Sequence, residues 1–177
     1  IVHRDSMLAN DLLSVRRYLP SYADALKDFV VPMGEAGEEI LEGAKSALKD
    51  NSTELNDNPG EVCFVVTVAN DIVGVVTLSR KIITTEDIEW IRANFQVDEF
   101  INYERHRARA QAAITNFALS PIFSRWSRFI LREVMRYYGK SLFYYQCENR
   151  SSVPEDLIAD VLPVRPRRRM QTQASVE

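Results

Sequence analysis

The chain has 177 residues, of which 46% are hydrophobic and 27% charged, the size and make-up of one globular domain with a sizeable core. Its 22 basic residues stand against 25 acidic ones, so the chain as a whole lacks the positive excess of a nucleic-acid binder, and no apolar run is long enough to cross a bilayer. Any electrostatic partner must be met by a local patch.

In chain order, IVHR is expected to open as a short strand. NDLLSVRRYL and SYADALKDFVV carry helical spacing, and Pro20 between them is expected to end the first. GEEILEGAKSALKDN predicts a third helix, because Ile40, Leu41, Ala44 and Leu48 recur at three and four residues with charges between them. NSTELNDNPGE is turn-forming throughout and predicts a loop. CFVVTVANDIVGVVTLSRK gives two β-branched runs flanking Asn70-Asp71, which predicts a hairpin turning at that pair. TTEDIEWIRANF starts a helix, with Thr84 or Thr85 as its cap and acids in the first turn. After an arginine-rich connection come the strand AAITNFAL, the long helix PIFSRWSRFILREVMRYYG closed by Gly139, and the strand SLFYYQC. VPEDLIADVL predicts a short helix, and VLPVRPRRRMQTQASVE an extended prolyl segment running into a polar tail. The expected organisation is one domain over residues 1–164 and a basic, flexible tail over 165–177, and the start at Ile1 suggests a piece of a longer chain.

Charge is unevenly spread along this order. From Gly34 to Glu61 there are eight acids and two lysines, whereas from Glu104 to Arg169 there are thirteen arginines and lysines and six acids, so opposed faces are expected. Cys63 and Cys147 stand in apolar, strand-like runs without CxxC spacing and with only two histidines in the chain, which points to buried reduced thiols and away from a zinc site or a disulfide. His3 and His106 lack a cysteine or carboxylate at ligand or triad spacing and are read as ordinary polar residues.

Strand, helices, a hairpin and then strand-helix-strand is an α/β order with a mixed sheet flanked by helices. In that order the chain resembles the acetyl-coenzyme A dependent N-acetyltransferase superfamily, the GNAT fold. The resemblance implies a coenzyme lying where AAITNFAL splays from SLFYYQC, its pyrophosphate on the N-terminal amides of the next helix, whose unpaired N–H groups and dipole suit an anion. The family writes this elbow with glycines at alternate positions. Here no glycine stands between Ser120 and Leu131, and Pro121, Phe123, Arg125 and Trp126 put side chains where an anion would need bare amides. The tyrosine that active members place after the following strand, to protonate the departing thiolate, has no counterpart in NRSSVPEDLIADVL. Tyr144 and Tyr145 lie on the strand itself, where packing is their expected work. Glu89, Glu104 and Glu133 are conceivable bases for an incoming amine, but without a positioned acetyl donor they have nothing to act on. The expectation is a degenerate site, a pseudo-acetyltransferase with no catalytic, cofactor-binding or metal-binding residues.

DIEWIRANFQVDEFINYERHR, FALSPIFSRWSRFILREVMRYYGKSLFYY and LPVRPRRR, in this order, resemble the cilia- and flagella-associated protein 61 family in its N-terminal, acetyltransferase-like region. Residues 1–60 match less clearly. The resemblance implies a non-enzymatic structural module of the motile-cilium axoneme, cytoskeletal in location, within the calmodulin- and spoke-associated complex at the base of a radial spoke. Its partners would be axonemal proteins, with neither nucleic acid nor membrane. An active acetyl-coenzyme A dependent N-acetyltransferase is the alternative, and a domain that binds the coenzyme without turnover is a third reading.

Arg125, Arg128, Arg132 and Arg136 recur at three, four and four residues and form one basic stripe, with Phe123, Trp126, Ile130, Val134 and Tyr137 expected to face the sheet. The stripe is either a solvated face or a docking surface for acidic partners, since arginine forks bind carboxylates in pairs. Trp126, Ile130 and Met135 stand at calmodulin-anchor spacing, but that face is the one the sheet must bury. Arg165, Arg167, Arg168 and Arg169, spaced by Pro163 and Pro166, form a second basic segment, stiff enough to lie along an acidic neighbour or else a linker kept soluble by charge.

Overall fold

The computed structural model describes residues 13–49, 61–79, 81, 83–147 and 153–167, without the Lys49 side chain. IVHR, His3, residues 51–60 of the expected loop, Arg168 and Arg169 lie outside the described residues.

Five strands form one mixed sheet in the order β1 (Leu13–Arg17), β2 (Glu61–Val68), β3 (Asp71–Ser79), β4 (Gln111–Leu119), β5 (Leu142–Tyr145). The first four are antiparallel neighbours and β4 pairs with β5 in parallel. Helices α1 (Ala23–Val30) and α2 (Glu35–Lys49) cover one face, packing Leu26, Val30, Ile40 and Ala44 on Cys63, Val65 and Val75. The other face takes α4 (Ser127–Tyr138) and the single turn α5 (Glu155–Ile158), through Ile130, Leu131, Val134 and Leu157 on Phe64, Val66, Leu78 and Phe117. The alternation of Phe64 and Val66 against Cys63 and Val65 is the period-2 pattern of a strand buried on both sides. Helix α3 (Thr85–Asn94) leads into the connection before β4, and its cap is Thr84: Asp87 N–H donates to Thr84 Oγ1 at 3.1 Å and Thr84 N–H donates back to the Asp87 carboxylate at 2.9 Å.

The structure corrects several expectations. Leu13–Arg17, read as part of a helix, is an edge strand. Leu13 and Val15 point into the core, Ser14 hydroxyl bonds Thr67 hydroxyl at 2.8 Å, and pairing with the valine-rich β2 outweighs a short helical pattern. Pro20 ends no helix; it opens a 3-10 turn, Pro20–Tyr22, that feeds α1. The hairpin turns one residue early, at Ala69-Asn70, with φ of +50° and +80°, closed by the pair Val68 and Asp71. Cys147 is exposed rather than buried, two residues past the end of β5, while Cys63 is 1% exposed. Burial, and then the nearby Glu61, push the Cys63 thiol up to about 12.

Residues 165–167, expected to begin a flexible tail, are tied down. Pro166 bridges Phe95, Gln96 N–H donates to the Arg165 carbonyl at 2.9 Å, and Arg167 N–H donates to the Asn94 carbonyl at 2.7 Å. Arg167 Nε donates to the carbonyls of Arg92 and Phe95 at 2.8 and 3.1 Å, capping the end of α3 with a cation where the helix dipole favours one.

Candidate functional site

The site is the opening between β4 and β5. The two strands pair over Gln111–Ile114 and Leu142–Tyr145, after which β4 runs on to Leu119 beside β3. Their starts are clamped by a polar cluster around the buried Gln111. Gln111, 1% exposed, accepts a hydrogen bond from the Tyr144 hydroxyl at 2.6 Å and donates to the His106 carbonyl at 2.8 Å. Lys140 Nζ donates to the Arg109 carbonyl at 2.7 Å. Burial, and then the hydrogen bond to Tyr103, hold the Tyr144 phenol well above its ordinary range, so it stays a neutral hydroxyl committed to Gln111. His106 Nδ1 bonds Ser141 hydroxyl at 2.9 Å.

Beyond the clamp, β4 leads into the elbow. Ser120 is followed by a 3-10 turn, Pro121–Trp126, before α4 begins at Ser127. Phe123 N–H is spent on the Ser120 carbonyl at 2.8 Å, and the Phe123 and Trp126 side chains pack on the apolar cluster beneath. The turn α5 lies against β4 and this elbow. Its Leu157 is fully buried, in one cluster with Ile114, Phe117 and Leu119 of β4 and Ile130 and Val134 of α4, with Val153 and Val161 on either side. Asp160, three residues on, accepts a hydrogen bond from the hydroxyl of Ser127, the first residue of α4 and itself 4% exposed. A carboxylate is thus bound at the end of α4 whose dipole favours an anion.

No family model matches the chain. It is similar to cilia- and flagella-associated protein 61 of Tetrahymena thermophila. The identity is 22% over 170 residues, covering 94% of this chain and 9% of that protein, so the chain spans about a tenth of its relative's length. Solved structures with a similar arrangement include acetyltransferases. They include a possible acetyltransferase from Clostridium difficile 630, with TM-score 0.46, 10% identity and coverage of 80% of this chain and 83% of that one. A GNAT family acetyltransferase from Staphylococcus aureus has TM-score 0.44, 12% identity and coverage of 81% and 92%. The mixed sheet flanked by helices stands on this chain's own strand order.

The remaining residues of interest fall outside the opening. Glu89 and Glu104 are exposed, on α3 and on the connection before β4, and Glu133 is engaged by Arg136 at 2.7 Å. Arg125, Arg128, Arg132 and Arg136 are all exposed. They are not equivalent: Arg125 stacks over Trp126 at 5.5 Å, and Arg136 holds Glu133 and lies 4.5 Å over Tyr137, whereas Arg128 and Arg132 make no ion pair or hydrogen bond among the described residues. Tyr137, expected to face the sheet, is 57% exposed, and Leu131 and Tyr138 face it instead. Arg165 is exposed, and Arg167 gives its guanidinium to α3 and to Asp98 at 3.0 Å. An open groove of about 510 Å³ separates β1 from the end of α4, with Arg16 and Arg17 on one wall and Tyr137 on the other. Among the described residues there is no cluster of metal-ligating side chains, and no helix is long and apolar enough to cross a membrane.

Residue-by-residue reading missed Leu157 and Asp160.

Proposed function

We propose that this chain is a non-enzymatic assembly module of the motile-cilium axoneme, a pseudo-acetyltransferase whose coenzyme opening is closed by its own chain. The observation that carries the reading is Leu157, 0% exposed between β4 and α4, with Asp160 bound to Ser127 at the start of α4. The residues present do not fit acetyl-coenzyme A. A pantetheine arm needs the space that Leu157 fills, and a pyrophosphate needs the helix end where a carboxylate already sits, so both would meet steric or like-charge exclusion. The glycine-free elbow supports the same reading, since every residue from Pro121 to Ile130 carries a Cβ and Phe123 N–H is spent on the Ser120 carbonyl.

The ciliary assignment is supported by the relative's name and by the match along nearly the whole chain. The finer placement, at the radial-spoke base within the calmodulin- and spoke-associated complex, is part of the same proposal. Arg128 and Arg132, exposed and uncommitted, are the residues that would meet an acidic axonemal partner. The test is a paired one with Arg128→Glu/Arg132→Glu. Thermal unfolding of the chain should change little, because exposed charges contribute little each. Incorporation of the full-length variant into the axoneme should be lost, because two reversals replace attraction by repulsion. Normal incorporation would return the stripe to a solvated face.

A further inference from the structure

Helix α2 carries an acidic ladder that matches the basic one. Glu35, Glu38, Glu39 and Glu42 are all exposed, at offsets of three, four and seven residues from Glu35. Arg128 and Arg132 of α4, also exposed, stand four residues apart, with Arg125 in the 3-10 turn before the helix. The four-residue spacing of Arg128 and Arg132 matches Glu35 with Glu39, and Glu38 with Glu42, whichever way the two helices run. Glu35, Glu38 and Glu42 make no ion pair among the described residues, and neither do Arg128 and Arg132. The two ladders cannot meet within one molecule. α2 packs on the sheet face that carries Cys63, Val65 and Val75, and α4 on the opposite face with Phe64 and Val66.

We propose that the arginine ladder of α4 docks on the acidic ladder of α2 of a second copy of this chain. The contact uses different surfaces on the two partners, so it is head-to-tail and joins copies into a ring or an open stack. The proposal rests on reading α4 as a docking surface and names the chemistry of its partner. A contact dominated by exposed charges is weak and short-ranged in salt, so it forms where copies are concentrated or held side by side.

Sedimentation velocity on the 177-residue chain tests this, over a range of protein concentrations, at about 20 mM and about 500 mM monovalent salt, which change the screening length several-fold. The expected result is a sedimentation coefficient that rises with concentration in low salt and stays at the monomer value in high salt. Arg128→Glu/Arg132→Glu, with both faces acidic, should lower the association constant at least about tenfold. Glu38→Arg/Glu42→Arg, with both faces basic, should do the same. Mixing the two variants should restore association, because each retains the face that the other lost. Arg105→Glu/Arg107→Glu on the connection before β4 changes net charge as much as the α4 pair and should leave association intact; circular dichroism checks that every variant folds. A monomer at every concentration in low salt overturns the proposal, as does a mixture that stays monomeric or a connection variant as damaging as the ladder variants. Those failures leave docking by α4 to be decided by axonemal incorporation, which reads a different partner.

Discussion

Leu157→Ala removes the side chain proposed to close the opening, and its cost follows from where that side chain sits. Leu157 is fully buried, among Ile114, Phe117, Leu119, Ile130 and Val134. Large-to-small changes at such sites cost about 2–5 kcal/mol, the upper end where the surroundings cannot relax. Here they can. α5 is a single turn held to this face through Leu157 and the Asp160–Ser127 bond, so it can settle toward a shortened side chain and fill part of the cavity. The expected loss is therefore in the lower half of that range, about 2–3 kcal/mol. The neighbouring Ile158, 36% exposed, is the internal control: Ile158→Ala should cost about 1 kcal/mol less than Leu157→Ala, because about a third of its surface stays in water. Urea denaturation of the two variants beside the unaltered chain measures both losses. Equal costs for Leu157→Ala and Ile158→Ala, or a Leu157→Ala cost below about 0.5 kcal/mol, would refute the closed opening.

Two further outcomes follow from local chemistry. Asn70→Val should cost about 1 kcal/mol or more, since a β-branched residue resists the φ of +80° held there, while Ala69→Gly should gain about 0.5–1 kcal/mol by relieving φ of +50°; unchanged urea midpoints would contradict the turn. Cys147 should react with a thiol reagent at pH 8 in the folded chain while Cys63 stays silent until denaturant is added, and rapid labelling of both would contradict the burial. Because the folded Cys63 thiol is raised, its neutral form stabilises the fold fully below the ordinary thiol value of 9.0, and that contribution drains away as pH climbs toward about 12.

The elements legible in the sequence were those with a strong local signature. The hairpin strands, the Thr84-capped helix and the strands on either side of the helix closed by Gly139 stand where pattern and capping placed them, whereas that helix, expected from Pro121, begins at Ser127 after a 3-10 turn. The glycine at the end of α4 adopts φ of +66°, the left-handed value that makes glycine favourable there. What local pattern could not supply was decided by distant partners. Leu13–Arg17 pairs with residues some fifty positions away, and no helical count over a short run anticipates that. The single-residue shift of the hairpin arises because Ala69, a poor candidate for positive φ, is carried there by the register of Val68 with Asp71. The site divides the same way. The bulk at the elbow was visible in Pro121, Phe123, Arg125 and Trp126, whereas the closure by Leu157 and Asp160 depends on a chain that returns across the sheet after β5. Four arginines in register read as equals, and only the structure separates Arg136, already bound to Glu133, from Arg128 and Arg132.

Calorimetric titration of acetyl-coenzyme A into the folded chain bears most directly on the closed opening. With Leu157 between β4 and α4 and the Asp160 carboxylate at the start of α4, no saturable heat should appear up to about 1 mM ligand, a limit that excludes all but the weakest binding. A saturable isotherm with a Kd in the micromolar range would contradict the account, because the coenzyme would then have displaced a buried leucine and a bound carboxylate that are here assigned to close the site for good.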